Sequence, residues 1–90
     1  MRRGDTPVMP RTYFRNDRPP TLEEAQELVG GYIEMITLDD GSQILVDEEG
    51  VQKGLLVNTT ASVLDPQHPR IVGNVVVLIG SARWTSIEGE

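Results

Sequence analysis

The chain has 90 residues, no cysteine, a single histidine and a formal net charge of −6. A chain of this length supports one domain with a thin core, because it buries only about 60–65% of the surface it exposes when unfolded. Disulfides and thiolate metal sites are excluded, and with His68 as the lone histidine a zinc site of the usual kind is close to excluded as well. No apolar run approaches the roughly 20 residues of a membrane span. The arginine-bearing start has no apolar stretch behind it, which predicts no secretory signal, and the absence of cysteine fits a reducing cytoplasm.

The charge is segregated. Residues 1–18 carry five arginines (Arg2, Arg3, Arg11, Arg15, Arg18) against Asp5 and Asp17, a balance of +3. Residues 19–90 carry Lys53, Arg70 and Arg83 against twelve carboxylates, a balance of −9. An acidic body repels nucleic acid, so a polyanion is expected, if at all, only through the basic arm. The competing expectation is that the arm lies on its own body or on a neighbouring subunit through the same attraction.

Residues 1–20 contain four prolines (Pro7, Pro10, Pro19, Pro20) and no clear periodicity, which predicts an extended, mobile arm without a regular element. Tyr13 and Phe14 stand in it between Arg11 and Arg15 and need a docking place, on the domain or on a partner. Thr21 to Val29 reads as the main helix. Thr21 is the N-cap with Glu24 three residues on, Leu22, Ala25, Leu28 and Val29 form the apolar face, and Gly30-Gly31 is the stop.

Tyr32 to Leu38 and Ser42 to Asp47 read as a hairpin around Asp40-Gly41. A two-residue turn sets Thr37 against Ile44, Met35 against Val46 and Glu34 against Asp47. That last pair is two like charges, so either a longer turn shifts the register or Lys53 or an arginine sits between them. Both hairpin faces are apolar, which predicts a sheet covered on both sides, or covered on one and used for contact on the other. Val51 to Val57 is ambiguous. Asn58 caps a short helix from Thr59 to Leu64, and Asp65 to Arg70 is a loop. Ile71 to Ile79 is the most buried strand, with Gly73 marking a bulge or a close backbone approach.

The string Leu28-Val29-Gly30-Gly31-Tyr32-Ile33-Glu34, followed by Asp40-Gly41, Val46-Asp47-Glu48-Glu49-Gly50, Leu55 with Asn58, Ala61, and Ile71-Val72-Gly73-Asn74-Val75-Val76, resembles a small family. It is an uncharacterised domain-of-unknown-function family found in bacteriophages and other mobile elements. The resemblance covers about residues 21–79, with the basic arm and the Trp84 tail outside it. It implies a small α+β fold and a phage or mobile-element origin, and it carries over no catalytic or binding residue.

Among candidate sites, Asp39, Asp40, Asp47, Glu48 and Glu49 are the densest carboxylates, but their spacing matches no calcium loop and hairpin ends are ordinarily acidic. His68 has no evident nucleophile partner. No Gly-rich phosphate motif is present, so no cofactor is expected. The arm is the most informative stretch: Arg11, Tyr13, Phe14, Arg15 and Arg18 have the composition of an interface anchor, and Arg83 with Trp84 forms a second one. For Trp84, packing as a lid over the sheet edge competes with partner contact.

The expectation is therefore an α+β fold, one main helix on a small, mostly antiparallel sheet. Residues 1–20 form an extended basic Pro-rich arm, 21–80 the α+β domain and 81–90 a C-terminal tail. The expected function is a non-enzymatic phage or mobile-element accessory protein that binds a host or phage protein in the host cytoplasm, away from membranes. The competing functions are a self-assembling minor structural or scaffold module, and a small-ligand binding protein with its site at a subunit interface.

Overall fold

The apolar run of 71–79 does become the middle of a sheet, though a shorter piece of it than expected. The computed structural model describes residues 9–67 and 70–85, so Arg2, Arg3, Asp5, Pro7, His68 and the acidic end of the tail lie outside the described residues. Its elements in chain order are β1 (Thr12–Arg15), α1 (Leu22–Val29), β2 (Ile33–Thr37), β3 (Gln43–Asp47), α2 (Thr59–Leu64), β4 (Val75–Leu78) and a 3₁₀ turn, Gly80–Ala82. The fold is α+β: one main helix and a four-stranded mixed sheet in the order β1-β4-β3-β2. The β2–β3 and β3–β4 pairings are antiparallel, and β1–β4 is parallel.

β1 corrects the expectation for the arm. Residues 12–15 are not irregular; Thr12 pairs with Val75 and Arg15 with Leu78. Pro10, Pro19 and Pro20 flank the strand without entering it, and Thr-Tyr-Phe is a run of strand-forming side chains. The β-branched run 71–79 is broken by Gly73 at φ +79°, so only Val75–Leu78 extends the ladder while Val72 makes an isolated bridge to Val57. A Cβ on Gly73 would stand 2.7 Å from Leu55 Cδ1, which is the close approach expected there.

α1 begins and ends as its sequence dictates. The Thr21 hydroxyl accepts a hydrogen bond from Glu24 N at 3.0 Å, and Gly30 closes the helix in the left-handed region at φ 94°. Ala25 and Val29 are buried, whereas Leu22, expected on the same face, is exposed. The hairpin register is shifted by one residue. Leu38 N donates to Ser42 O, leaving a three-residue loop, Asp39-Asp40-Gly41, with Gly41 at φ 93°. Met35 consequently faces Leu45, Ile36 faces Ile44, and Glu34 faces Val46 instead of Asp47. The longer turn removes the like-charge pair, and Lys53 bonds Asp47 in addition.

A one-residue slip moves every side chain of a strand to the other face. It sorts the core into two layers. Beneath α1, Leu45, Val76 and Leu78 pack with Ala25 and Val29, joined by Tyr13, Leu28, Ile33 and Trp84. On the opposite face, Ile44, Val46, Val75 and Val77 pack with Ala61 of α2 and Ile71, joined by Ile36 and Leu38. The sheet is covered on both faces, and among the described residues its unpaired boundaries are the β1 and β2 edges.

Candidate functional site

β1 is built from the stretch with the most interface-like composition, and its side chains divide by the period of the strand. Tyr13 lies on the α1 side and packs into that layer. Phe14, across from Val77, stays 51% exposed at the sheet edge. Arg11 and Arg18 are exposed at and beyond the two ends of the strand. Arg15 is half-buried; its guanidinium lies 4.0 Å from the Glu24 carboxylate and donates to Phe14 O at 3.2 Å.

The strand is held to the body by more than its ladder. Arg11 N donates to Asn74 Oδ1 at 2.8 Å. Asn58, only 2% exposed, is the main latch. Its Oδ1 accepts from Ala61 N at 3.0 Å and from the Thr12 hydroxyl at 3.1 Å. Its Nδ2 donates to Gly73 O at 3.0 Å and to Arg11 O at 3.3 Å. The expected N-cap is present, and the same amide also ties β1, α2 and the bend before β4 together. Only the cap is legible in the sequence, because the other partners lie up to 47 residues away.

Backbone direction decides what β1 offers to solvent. Arg11 O accepts from Val75 N and Arg15 O from Ile79 N, so the peptide groups of Arg11, Tyr13 and Arg15 face β4. Those of Thr12 and Phe14 therefore point outward. Among the described residues, the Arg15 guanidinium on Phe14 O is the one bond made to them.

The remaining candidates sit elsewhere. Trp84 is a clasp: its N–H donates to Gln43 Oε1 at 2.6 Å, its carbonyl accepts from Gln43 Nε2 at 2.8 Å, and its indole N–H donates to Pro20 O at 3.0 Å. Packing, weighed against partner contact in the sequence, is what its half-buried ring does here. Arg83 donates to Gly80 O of the 3₁₀ turn at 3.1 Å and reaches the hairpin loop at Gly41 O, 3.4 Å away. The seven candidates thus divide, with Arg11, Tyr13, Phe14, Arg15 and Arg18 on or beside β1 and Arg83 and Trp84 at the start of β3.

The carboxylates do not converge. Asp47 is buried and bonded to Lys53 Nζ at 2.7 Å and to Glu49 N at 2.8 Å. The same ammonium donates to Gly30 O at 3.2 Å, closing the C-terminal end of α1, where a cation is favoured. Asp40 sits in the hairpin loop and accepts from Ser42 N at 2.9 Å. Hydrogen bonds from Ser42, chiefly from its backbone and then from its hydroxyl, hold the Asp40 carboxyl below the ordinary carboxylate value, with the Arg83 charge adding to them. No group of three or more histidine, cysteine or acidic side chains able to hold a metal occurs among the described residues. Among them, no helix is long and apolar enough to cross a membrane.

Residues 6–90 match the family described as Domain of unknown function (DUF3846). The chain belongs to the DUF3846 family. The DUF3846 match extends past the region of resemblance seen in the sequence and takes in both β1 and the Trp84 clasp. No curated protein and no solved structure is significantly similar to the chain.

Proposed function

We propose that this DUF3846 chain is a non-enzymatic binding protein that docks another protein on the outer edge of β1. One observation carries the reading: Phe14 is 51% exposed at a sheet edge whose outward peptide groups receive, among the described residues, only the Arg15 guanidinium, with Arg11, Arg15 and Arg18 around it. An open edge strand accepts an extended segment through main-chain hydrogen bonds, and the neighbouring side chains supply the selectivity. Aromatic and arginine side chains are the usual hot spots of such contacts. An accessory role in a phage or mobile element, in the host cytoplasm, is the setting suggested by the sequence resemblance. The non-enzymatic part of the reading rests on a chain with no cysteine and one histidine.

The test is affinity capture from nuclease-treated host-cell lysate with the full chain, compared with Phe14→Ser and with Arg11→Glu/Arg18→Glu. Deleting residues 1–18 is unsuitable, because that removes a strand of the sheet. A protein captured by the unaltered chain and lost with both variants, at unchanged melting temperature, supports the reading. Identical capture by all three overturns it.

A further inference from the structure

We infer that the edge received by β1 is the β2 edge of a second copy of this chain, so that the protein adds to itself head to tail through a continued sheet. This rests on the reading of β1 as a docking strand and names its partner.

The second edge is as open as the first. Tyr32 O accepts from Glu48 N, and Leu38 N donates to Ser42 O, so the even-numbered residues of β2 face β3. The peptide groups of Ile33, Met35 and Thr37 point outward, and no described residue bonds them. Met35 is 45% exposed and Tyr32 70% exposed beside this edge. β2 has no proline and no lysine, and of the devices that blunt a sheet edge it carries only the single charge of Glu34.

Strand direction fits the two edges to each other. β1 is parallel to β4, and β4 and β2 are both antiparallel to β3, so β1, β4 and β2 run the same way. With the α1-bearing faces of both copies on the same side, head-to-tail addition sets β2 parallel to the β1 of the next copy. Met35, which shares the α1 side with Leu45, then adjoins the row that holds Tyr13.

Charge favours a β1–β2 contact over a β1–β1 or a β2–β2 contact. Arg11 lies at the start of β1, and Arg15 and Arg18 lie at its end. Glu48 and Glu49 lie beside the start of β2, and Asp39 and Asp40 follow its end. The parallel arrangement brings Arg11 toward Glu48 and Glu49, and Arg18 toward Asp39 and Asp40. A twofold β1–β1 contact would set arginines against arginines, and a β2–β2 contact carboxylates against carboxylates, each a like-charge cost. The two edges are different surfaces, so the contact is heterologous and forms either an open chain or a closed ring.

The experiment is sedimentation velocity with light scattering on the full chain over a wide concentration range, at low and at physiological salt. The expected result is a mass that rises with concentration and falls with added salt, as screening shortens from about 30 Å at 0.01 M to about 8 Å at 0.15 M. Phe14→Pro and Met35→Pro each block one edge at an outward-facing N–H, so neither removes a bond of the internal ladder. Phe14→Lys and Met35→Lys replace them if a proline variant does not fold. Each blocked variant alone is expected to be monomeric. Their equimolar mixture is expected to give a one-to-one dimer, because one free edge of each kind remains.

A chain that stays monomeric at every concentration in low salt overturns the inference. So does a Phe14 variant that associates as strongly as the unaltered chain, since that result belongs to a β2–β2 contact. If the chain is monomeric while Phe14→Ser still loses a captured lysate protein, the second copy is discarded and β1 docking stands. If the chain associates and the blocked variants do not, while lysate capture is indifferent to Phe14, the second copy stands without another partner.

Discussion

The two edges of the sheet are held in opposite ways. β2 reaches β3 through a three-residue loop, so the chain loses little entropy in bringing the strands together. β1 reaches β4 across 63 residues, from Thr12 to Val75. Its place depends on contacts that are themselves distant: the Asn58 amide, the Asn74 side chain, the Tyr13 ring in the α1 layer, and Trp84 bonded to Pro20 just beyond the strand. A local edge is secured by its turn, whereas a remote edge is only as secure as its latches. The edges differ in charge as well: the remote one is basic and the local one acidic.

Loss of the latch should separate the two edges most strongly. Asn58→Ala removes the cap on Ala61 N and the side-chain donor to Gly73 O and Arg11 O, the latter keeping its bond from Val75 N. The expected loss is about 2–4 kcal/mol, measured by denaturant unfolding. Amide exchange at Tyr13 and Arg15, whose peptide groups face β4, should quicken more than at Glu34 and Ile36 of β2. Equal acceleration on both edges would show that Asn58 serves the body as a whole and not β1 in particular.

Trp84→Ala comes next. It removes a half-buried ring from the α1 layer and the bond to Pro20 O, with an expected cost of about 2–3 kcal/mol in the same unfolding measurement. Exchange at β1 should again respond more than exchange at β2, because the lost bond anchors the link between β1 and α1.

Gly41→Ala tests the local edge. Gly41 sits at φ +93°, and an added Cβ would meet Arg83 Nη1 at 2.6 Å, the end of a side chain that can swing away. Backbone strain then dominates, at about 1 kcal/mol. The loss should appear as faster exchange at Glu34, Ile36 and Leu38, with β1 unaffected.

The smallest effect is a pH dependence in the same loop. The Asp40 carboxyl titrates below its ordinary value, so its contribution to stability is complete above the unfolded-state pKa and is lost as pH falls through the folded one. Asp40→Asn should be slightly less stable than the unaltered chain at neutral pH, and the difference should vanish in acid. Carbon-detected NMR titration of Asp40 checks the direction directly. Titration at or above the ordinary value would leave the Ser42 and Arg83 contacts without effect.

Local chemistry explains which parts of this fold can be read from the sequence. The caps formed by Thr21, Gly30 and Asn58 lie within one helical turn of those residues, so both ends of α1 and the start of α2 follow from capping preferences. Gly73 announced a close approach, and Leu55 is what it approaches. The Asp47 and Glu34 conflict signalled that the two-residue turn was wrong, and the structure resolves it with the longer loop and with Lys53. Leu22 was misassigned because a short helix docks only part of its apolar stripe, here Ala25, Leu28 and Val29. β1 is hidden in the sequence by the prolines around it, although Thr12, Tyr13 and Phe14 all favour a strand.

The residue types of the candidate site were visible from the outset, but their division was not. Nothing in Arg-Thr-Tyr-Phe-Arg says that Tyr13 turns inward and Phe14 outward, because that follows from which face of β4 each side chain joins. Trp84 and Arg83 are neighbours in sequence but serve different segments, Pro20 and the hairpin loop. By itself the sequence determined the α+β class, the caps, the hairpin and the buried middle strand, since each follows from contacts within a few residues or from apolar patterning. The tertiary structure alone decided the hairpin register, the parallel β1 strand and the exposure of Phe14. Those depend on pairings between segments tens of residues apart, where the gain from contact has to exceed the entropy of closing the chain.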